Sequence, residues 1–288
     1  MTCFNGGLDV FCRMIKGKNP YPFETIALAV SFSPGLPILV TEMKRMCELH
    51  KSLAVFIHVG KKTSEKQREL ALLLTSNGFH DGNSRIYWEQ VDIVSSILQI
   101  CKHEVVDLII VGASENENFA IPIGQIATNI ATKAKCSVLV FTDSGAGSFK
   151  KIIVNGIEHK KTDLTILTSI YFAEKENSES IFISDDSGVS SYEDRSNDNI
   201  PPTLKKDLFI FKEAIENSKV KINLFSLSGE QCDSISDYAF KNNADLIVTH
   251  SSEHMLLIFD RISSHDGIDA LLKKLPCNLL VVHSRLIE

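Results

Sequence analysis

At 288 residues the chain is long enough for one large domain or two of ordinary size, each able to bury a core. Hydrophobic residues make up 44% and charged residues 23%, which excludes collagen-like, coiled-coil, mucin-like and extensively disordered chains. A net charge of −6 offers no basic footprint to a polyphosphate backbone, so nucleic acid is not an expected partner.

The N-terminal stretch MTCFNGGLDVFCRMIKGK, residues 1–18, lacks a basic segment followed by a long apolar one and does not read as a secretory signal. Leu8 to Ile15 has amphipathic spacing, read as an accessory segment packing on the body rather than a membrane anchor. The apolar run Ile26–Val30 predicts a buried strand. Pro37–His50 carries Ile38, Leu39, Met43, Met46 and Cys47 at helical spacing. Leu53–Val59 is a second strand, and Ser64–Asn77 a helix with Gly78 where a helix stop belongs. A weaker strand, Ser84–Trp88, precedes a helix over Val91–His103 with Asp92 near its start. Then come a strand (Asp107–Val111), a helix (Ile123–Ala134) and a strand (Ser137–Phe141). TDSGAGS from Thr142 reads as a flexible linker.

The order then repeats. Strands are predicted at Lys151–Val154, Ser180–Ser184, Lys221–Leu227, Asp245–Thr249 and Asn278–Val282. Helices are predicted around Lys161–Phe172, Leu204–Asn217, Cys232–Asn242 and His265–Lys274. The repeat is visible in the residues themselves. VDLIIVGASE from Val106 matches ADLIVTHSSE from Ala244 at an offset of 138, CSVLVF from Cys136 matches CNLLVV from Cys277 at 141, and FETIALAV from Phe23 matches FKKIIVNG from Phe149. Units of this length are domains rather than solenoid repeats. The polar stretch Asp185–Pro202 reads as a mobile loop inside the second unit. Alternating strands and helices with near-continuous apolar strands predict α/β architecture: two doubly wound five-stranded parallel-sheet domains, 23–142 and 149–288, after an extension over 1–22.

In an open α/β sheet, ligands bind beyond the carboxyl ends of the strands where the strand order reverses. That directs attention to Ser31-Phe32-Ser33-Pro34, to Gly112-Ala113-Ser114-Glu115, and to Gly124-Gln125 at the next helix start. In the second unit the corresponding residues are Gly156-Ile157-Glu158-His159, Thr249-His250-Ser251-Ser252 and His265-Asp266.

The segments VDLIIVG…G…KAKCSVLVF and ADLIVTH…KKLPCNLLVV, with FIHVG ending at Gly60, resemble a tandem universal stress protein from about Phe23 onward. The resemblance implies an adenine nucleotide alpha hydrolase-like fold whose nucleotide-binding members hold ATP in that crevice. They use an Asp after strand one and G-x2-G-x9-G-(S/T) after strand four. In that motif the glycines let backbone approach phosphate and the helix N-terminus supplies N–H donors. Carried over, it places candidate cofactor-side positions at Ser31, Val59, Gly112, Ala113, Gly124 and Gln125.

The chain departs from the pattern. Ser31 replaces the Asp, Glu115 the second glycine and Gln125 the hydroxyl residue, and the loop to Gly124 is one residue shorter. The second unit has Ile157, Thr249, Ser252, His265 and Asp266 at the five positions. A carboxylate beside a phosphate costs on the order of 1 to 4 kcal/mol, roughly one to three decades of affinity. Gly112 and Gly124 also have a plainer reading as turn and packing glycines.

Other constellations read as structural. His250-Ser-Ser-Glu253-His254 has H-x-x-E-H spacing but follows a strand instead of lying on a helix, so no metal is expected. Asp107 and Asp245 are read as hydrogen-bonding backbone where their strands start. His58 is read as a core histidine, and Tyr87 and Trp88 as core by default, with a pocket wall as the other reading. No P-loop, G-x-S-x-G elbow or nucleophile–base pairing appears, so catalysis is not indicated. Seven scattered cysteines without C-x2-C spacing fit a reducing, cytoplasmic setting. No apolar run of about 18 residues exists, so no membrane span is expected.

The apolar edge strands SVLVF and NLLVV must be covered or paired. The resemblance implies that they pair antiparallel and make the chain a pseudo-dimer; homodimerisation through edge strands is left open as well. The resulting expectation is a non-enzymatic, stress-associated regulatory protein with degenerate nucleotide sites and no cofactor, working by protein–protein contact or by sensing another small ligand. The alternative is an ATP-binding, weakly ATP-hydrolysing protein using an altered site in the first unit. A third reading is a soluble relative of the regulatory tails of cation/proton exchangers.

Overall fold

Apolar runs too continuous for a one-sided sheet become parallel strands covered by helices in the computed structural model. It describes residues 23–113, 123–142, 147–155, 162–184, 218–225, 235–250, 272 and 275–283. The chain divides into two compact units. The described residues of the first fall in Pro20–Gly147 and Ser251–His283, and those of the second in Ser148–His250.

The first unit runs β1 (Thr25–Ala29), α1 (Leu36–His50), β2 (Leu53–Val59), α2 (Ser64–Ser76), β3 (Ser84–Glu89), α3 (Ile93–His103), β4 (Leu108–Gly112), α4 (Ile123–Lys133) and β5 (Ser137–Phe141). Its strands are ordered β3-β2-β1-β4-β5 and pair in parallel. A sixth strand, β10 (Asn278–Val282), joins antiparallel to β5, with Leu280 opposite Leu139. Asn278 pins this pairing: its side-chain carbonyl accepts from the Thr142 amide at 2.9 Å.

The second unit runs β6 (Lys151–Val154), α5 (Thr162–Glu176), β7 (Ser180–Ser184), β8 (Lys221–Phe225), α6 (Ile235–Lys241) and β9 (Leu246–His250). Its order, β9-β6-β7-β8, repeats that of β4-β1-β2-β3, again in parallel. The predicted helix over Leu204–Asn217, the loop from Asp185 and most of the helix from His265 lie outside the described residues, as does the segment Leu8–Ile15.

Helix ends follow local chemistry. The Thr63 hydroxyl accepts from the Lys66 amide at 3.3 Å, and the Asp92 carboxylate accepts from the Ser95 amide at 2.8 Å, each capping a helix N-terminus. After α2, Gly78 takes φ +75°, and the Phe79 amide turns back to the Leu74 carbonyl at 3.0 Å, closing the helix.

Two sets of hydrogen bonds have counterparts in both units. In the first unit the Asp107 carboxylate accepts from the Thr25 amide at 2.9 Å. In the second, Asp245 accepts from the Lys150 and Lys151 amides at 2.9 and 2.8 Å. The Ser52 hydroxyl donates to the Phe23 carbonyl, and the Ser178 hydroxyl to that of Phe149. Both aspartates thus tie the start of a central strand to its neighbour, the structural role expected of them.

Each core is the filled space between strands and helices. Ile26, Leu28, Phe56, Leu108 and Ile110 are inaccessible to solvent in the first unit, as are Ile152, Ile170, Phe172 and Leu246 in the second. Cys47, Cys101, Cys136 and Cys277 are buried. Burial pushes the Cys47 thiol up to about 12, so it packs as a small hydrophobe rather than reacting.

Candidate functional site at the carboxyl ends of the first sheet

The chain winds outward from β1 through β2 to β3, then returns to place β4 on the other side of β1. The order therefore reverses between β1 and β4, and the crevice expected for a ligand opens at their carboxyl ends. Leu28 lies opposite Ile110 in the ladder, so Ser31 and Ala113 follow at equal distances along adjacent strands. Val59 closes β2, and Gly112 ends β4 opposite Phe141. Gly124 and Gln125 fall in the first turn of α4, with Gln125 exposed. Residues 114–122, Glu115 among them, lie outside the described residues. The fold thus brings Ser31, Val59, Gly112 and Ala113 to neighbouring strand ends.

Two of these positions are occupied by local packing. The Ser31 and Ser33 hydroxyls are 3.2 Å apart, and the Ser33 carbonyl accepts from the Leu36 amide at 3.0 Å to open α1. A Cβ on Gly112 would stand 3.1 Å from Leu39 Cδ1, so the missing side chain lets α1 settle on β4. This is the packing-glycine reading in physical form.

Beside the crevice, over β2 and β3, the loops gather an aromatic cluster. His58 is buried, and its Nδ1 donates to the Val30 carbonyl at 3.0 Å. A carbonyl only accepts, so Nδ1 carries the proton and Nε2 is left as an acceptor. Nε2 is buried without a hydrogen-bond partner among the described residues. The rings of Phe32 and Trp88 meet His58 edge-on at centroid distances of 4.8 and 5.0 Å, at 82° and 72°. Lys66 Nζ lies 5.1 Å from the Phe32 centroid and Lys62 Nζ 5.8 Å from that of Trp88, both within cation–π range. Trp88 is therefore part of this packed cluster, and His58 is a core histidine with one nitrogen satisfied.

Burial lowers the His58 pKa below the ordinary imidazole value, outweighing the Val30 bond, with the Lys66 charge adding to the lowering. The unfolded chain then takes up this proton first. His58 contributes stability that is fully present above about pH 6.5 and is lost as pH falls through the unfolded value toward the folded one. The melting temperature is expected to fall between pH 7.5 and 5.5, and His58→Phe should flatten that fall. An equal pH slope in parent and variant would rule His58 out as its source.

On the opposite face of β3, Arg85 and Tyr87 both donate to Glu104, which caps α3, and His103 Nδ1 lies 3.1 Å from the same carboxylate. The Glu104 side chain is only 2% exposed. Burial would raise its pKa, but the hydrogen bonds from Tyr87 and Arg85 outweigh it and hold the carboxyl below its ordinary range. The bond to Glu104 in turn raises the Tyr87 phenol. The sequence reading missed this network. Its only trace is the i, i+2 spacing of Arg85 and Tyr87, which puts two polar groups on one face of a strand. In the second unit His250 ends β9, while the rest of the H-x-x-E-H pattern lies outside the described residues. Among the described residues no group of three or more His, Cys, Asp or Glu could hold a metal, and no helix is long and apolar enough to cross a membrane.

The comparisons with known proteins agree with this geometry. The universal stress protein family matches residues 47–142. A protein of unknown function from Pseudomonas aeruginosa PAO1 is similar over 92% of this chain and 94% of its own, with 14% identity and a TM-score of 0.61. A universal stress protein from Archaeoglobus fulgidus DSM 4304 is similar over 92% of this chain and 100% of its own, with 16% identity and a TM-score of 0.59. The cytoplasmic domain of a prokaryotic cation chloride cotransporter covers 91% of this chain and 96% of its own, with 12% identity and a TM-score of 0.50. At such identities these likenesses establish the fold alone. No curated protein matches the chain significantly. The chain thus has the α/β fold of universal stress protein structures, and residues 47–142, a third of it, match the universal stress protein family.

Proposed function

We propose that the chain is a tandem universal stress protein-like regulatory protein, non-enzymatic and stress-associated, whose nucleotide sites have degenerated. Its two domains are 23–142 and 149–288, arranged as a pseudo-dimer. The duplicated Asp107/Asp245 and Ser52/Ser178 bonds and the antiparallel β5–β10 pairing support the tandem reading. One observation carries the degenerate site: no acid stands at the end of β1, where the Ser31 hydroxyl meets that of Ser33 at 3.2 Å. An adenine or ribose therefore loses its charged acceptor, and a hydrogen bond to a charged group is worth about 1.5–3 kcal/mol.

The test is native mass spectrometry of the freshly purified chain, followed by thermal melting with millimolar Mg-ATP. The expected results are a ligand-free mass and a melting shift below about 1 °C, because binding at 100 times Kd would add about 2.7 kcal/mol and shift the melt by several degrees. Co-purified adenine nucleotide or a rise of several degrees, if abolished by Gly124→Asp, would instead establish the altered first-unit site as a nucleotide binder. A rise that survives Gly124→Asp would place the nucleotide elsewhere.

A further inference from the structure

β3 is the outermost strand of the first sheet, and β2 is its only strand neighbour among the described residues. The Asn83 carbonyl accepts from the Ala54 amide and the Glu89 carbonyl from the Gly60 amide, at 3.1 and 2.7 Å. Odd-numbered residues of β3 therefore turn their backbone groups toward β2. By the two-residue alternation of a strand, Ile86 and Trp88 turn their N–H and C=O outward. The strand is not blunted by proline or lysine, and Ile86 is 44% exposed.

The side chains of this edge are complementary to themselves. An antiparallel pair about a two-fold axis at Tyr87 places Ile86 opposite Trp88 of a second copy, where the outward groups of both exchange hydrogen bonds. In the same register Arg85 faces Glu89 of the other copy and Tyr87 faces Tyr87, all in the closer, non-hydrogen-bonded pairs. Shifting the register by one hydrogen-bonded pair in either direction breaks the Arg85–Glu89 match. Arg85 keeps donors free for this contact: one of its guanidinium nitrogens binds Glu104, and the side chain is 55% exposed. β5 is already paired with β10.

We propose that β3 is a homodimerisation edge, on which a second copy of this chain adds its own β3 antiparallel in the register that pairs Arg85 with Glu89. The proposal names an edge and a register for the homodimer left open by the sequence, and it does not depend on the fate of the nucleotide site.

The experiment is sedimentation velocity of the full chain from micromolar to several hundred micromolar. The expected result is a concentration-dependent species at twice the 32.0 kDa chain mass. Ile86→Pro removes an outward N–H while leaving the inward bonds of Arg85 and Tyr87 in place, and should give a monomer that melts normally. Glu89→Arg sets Arg against Arg at both symmetric positions and should weaken dimerisation about tenfold. Arg85→Glu should weaken it as well, yet an equimolar mixture of the two variants should restore the dimer, because both cross-strand pairs are then opposite in sign. If Arg85→Glu fails to fold for want of its Glu104 contact, Ile86→Pro and Glu89→Arg decide the matter alone. A monomer throughout the range, or a dimer indifferent to Ile86→Pro and Glu89→Arg, overturns the proposal. Dimerisation that responds to those two variants but is not restored by mixing folded ones overturns the register.

Discussion

Asp107→Ala is expected to destabilise the chain by about 2 kcal/mol, because the lost bond is to a charged acceptor, and to lower the first melting transition by roughly 4–8 °C. Asp107 is 4% exposed, and its carboxylate accepts from the Thr25 amide at the start of β1. β1 is the strand from which the winding departs in both directions, so its amino end has neighbours on either side. Alanine would leave the Thr25 N–H facing a methyl group where water enters poorly. Asp107→Asn keeps an oxygen at the same place and should recover at least half of the loss. Asp245→Ala should cost at least as much in the second unit, since its carboxylate serves two amides, those of Lys150 and Lys151. Urea unfolding of the four chains measures this. An Asn variant as damaged as the Ala variant would show that charge, not acceptance by the backbone, is what the position supplies.

Gly60→Ala is the second expected large effect. Gly60 adopts φ +152°, where an L side chain is strained, and an added Cβ would stand 3.1 Å from His58 Nε2. The strain alone costs about 1–3 kcal/mol. Close packing adds to it, because the imidazole is held by Val30 on one side and by Phe32 and Trp88 on two others. The two contributions separate in a double-mutant cycle with His58→Ala. The contact part should vanish in the double variant, giving a coupling of about 0.5–1 kcal/mol, while the backbone part persists. Strict additivity would mean that the imidazole moves aside freely and that the aromatic cluster is looser than its geometry indicates. Either way, Gly60 joins β2 to the loop carrying Lys62 and Thr63, so the same substitution tests how tightly the turn out of β2 is packed.

The strands and helices were legible because their signals are local. Leu53–Val59 and Ser137–Phe141 are apolar without interruption, Asp92 and Thr63 stand where caps belong, and Gly78 stands where a helix must stop. The boundaries that moved did so by a residue or two, as at β4 and α3, where element ends carry weak signals. The strand-start aspartates were legible too, since an Asp at the entry to an apolar strand lies next to backbone donors that its carboxylate can accept from. Tyr87 and Trp88 were not: one reading covered both, whereas alternation along an edge strand sends them to opposite faces, one to Glu104 and the other to His58.

The sequence by itself determined the α/β class, the alternation of strands and helices along the described residues, and the strand ends expected to hold a ligand. Apolar periodicity, caps and the handedness of crossovers are properties of short segments. Only the tertiary structure decided what occupies those strand ends: Leu39 over Gly112, Ser33 beside Ser31, and an imidazole boxed by Phe32 and Trp88. It alone decided that Glu104 gathers Arg85 and Tyr87. Apart from Ser31 and Ser33, which share one loop, those contacts join residues on different elements. Their partners are chosen by how helices settle on the sheet, which no single segment encodes.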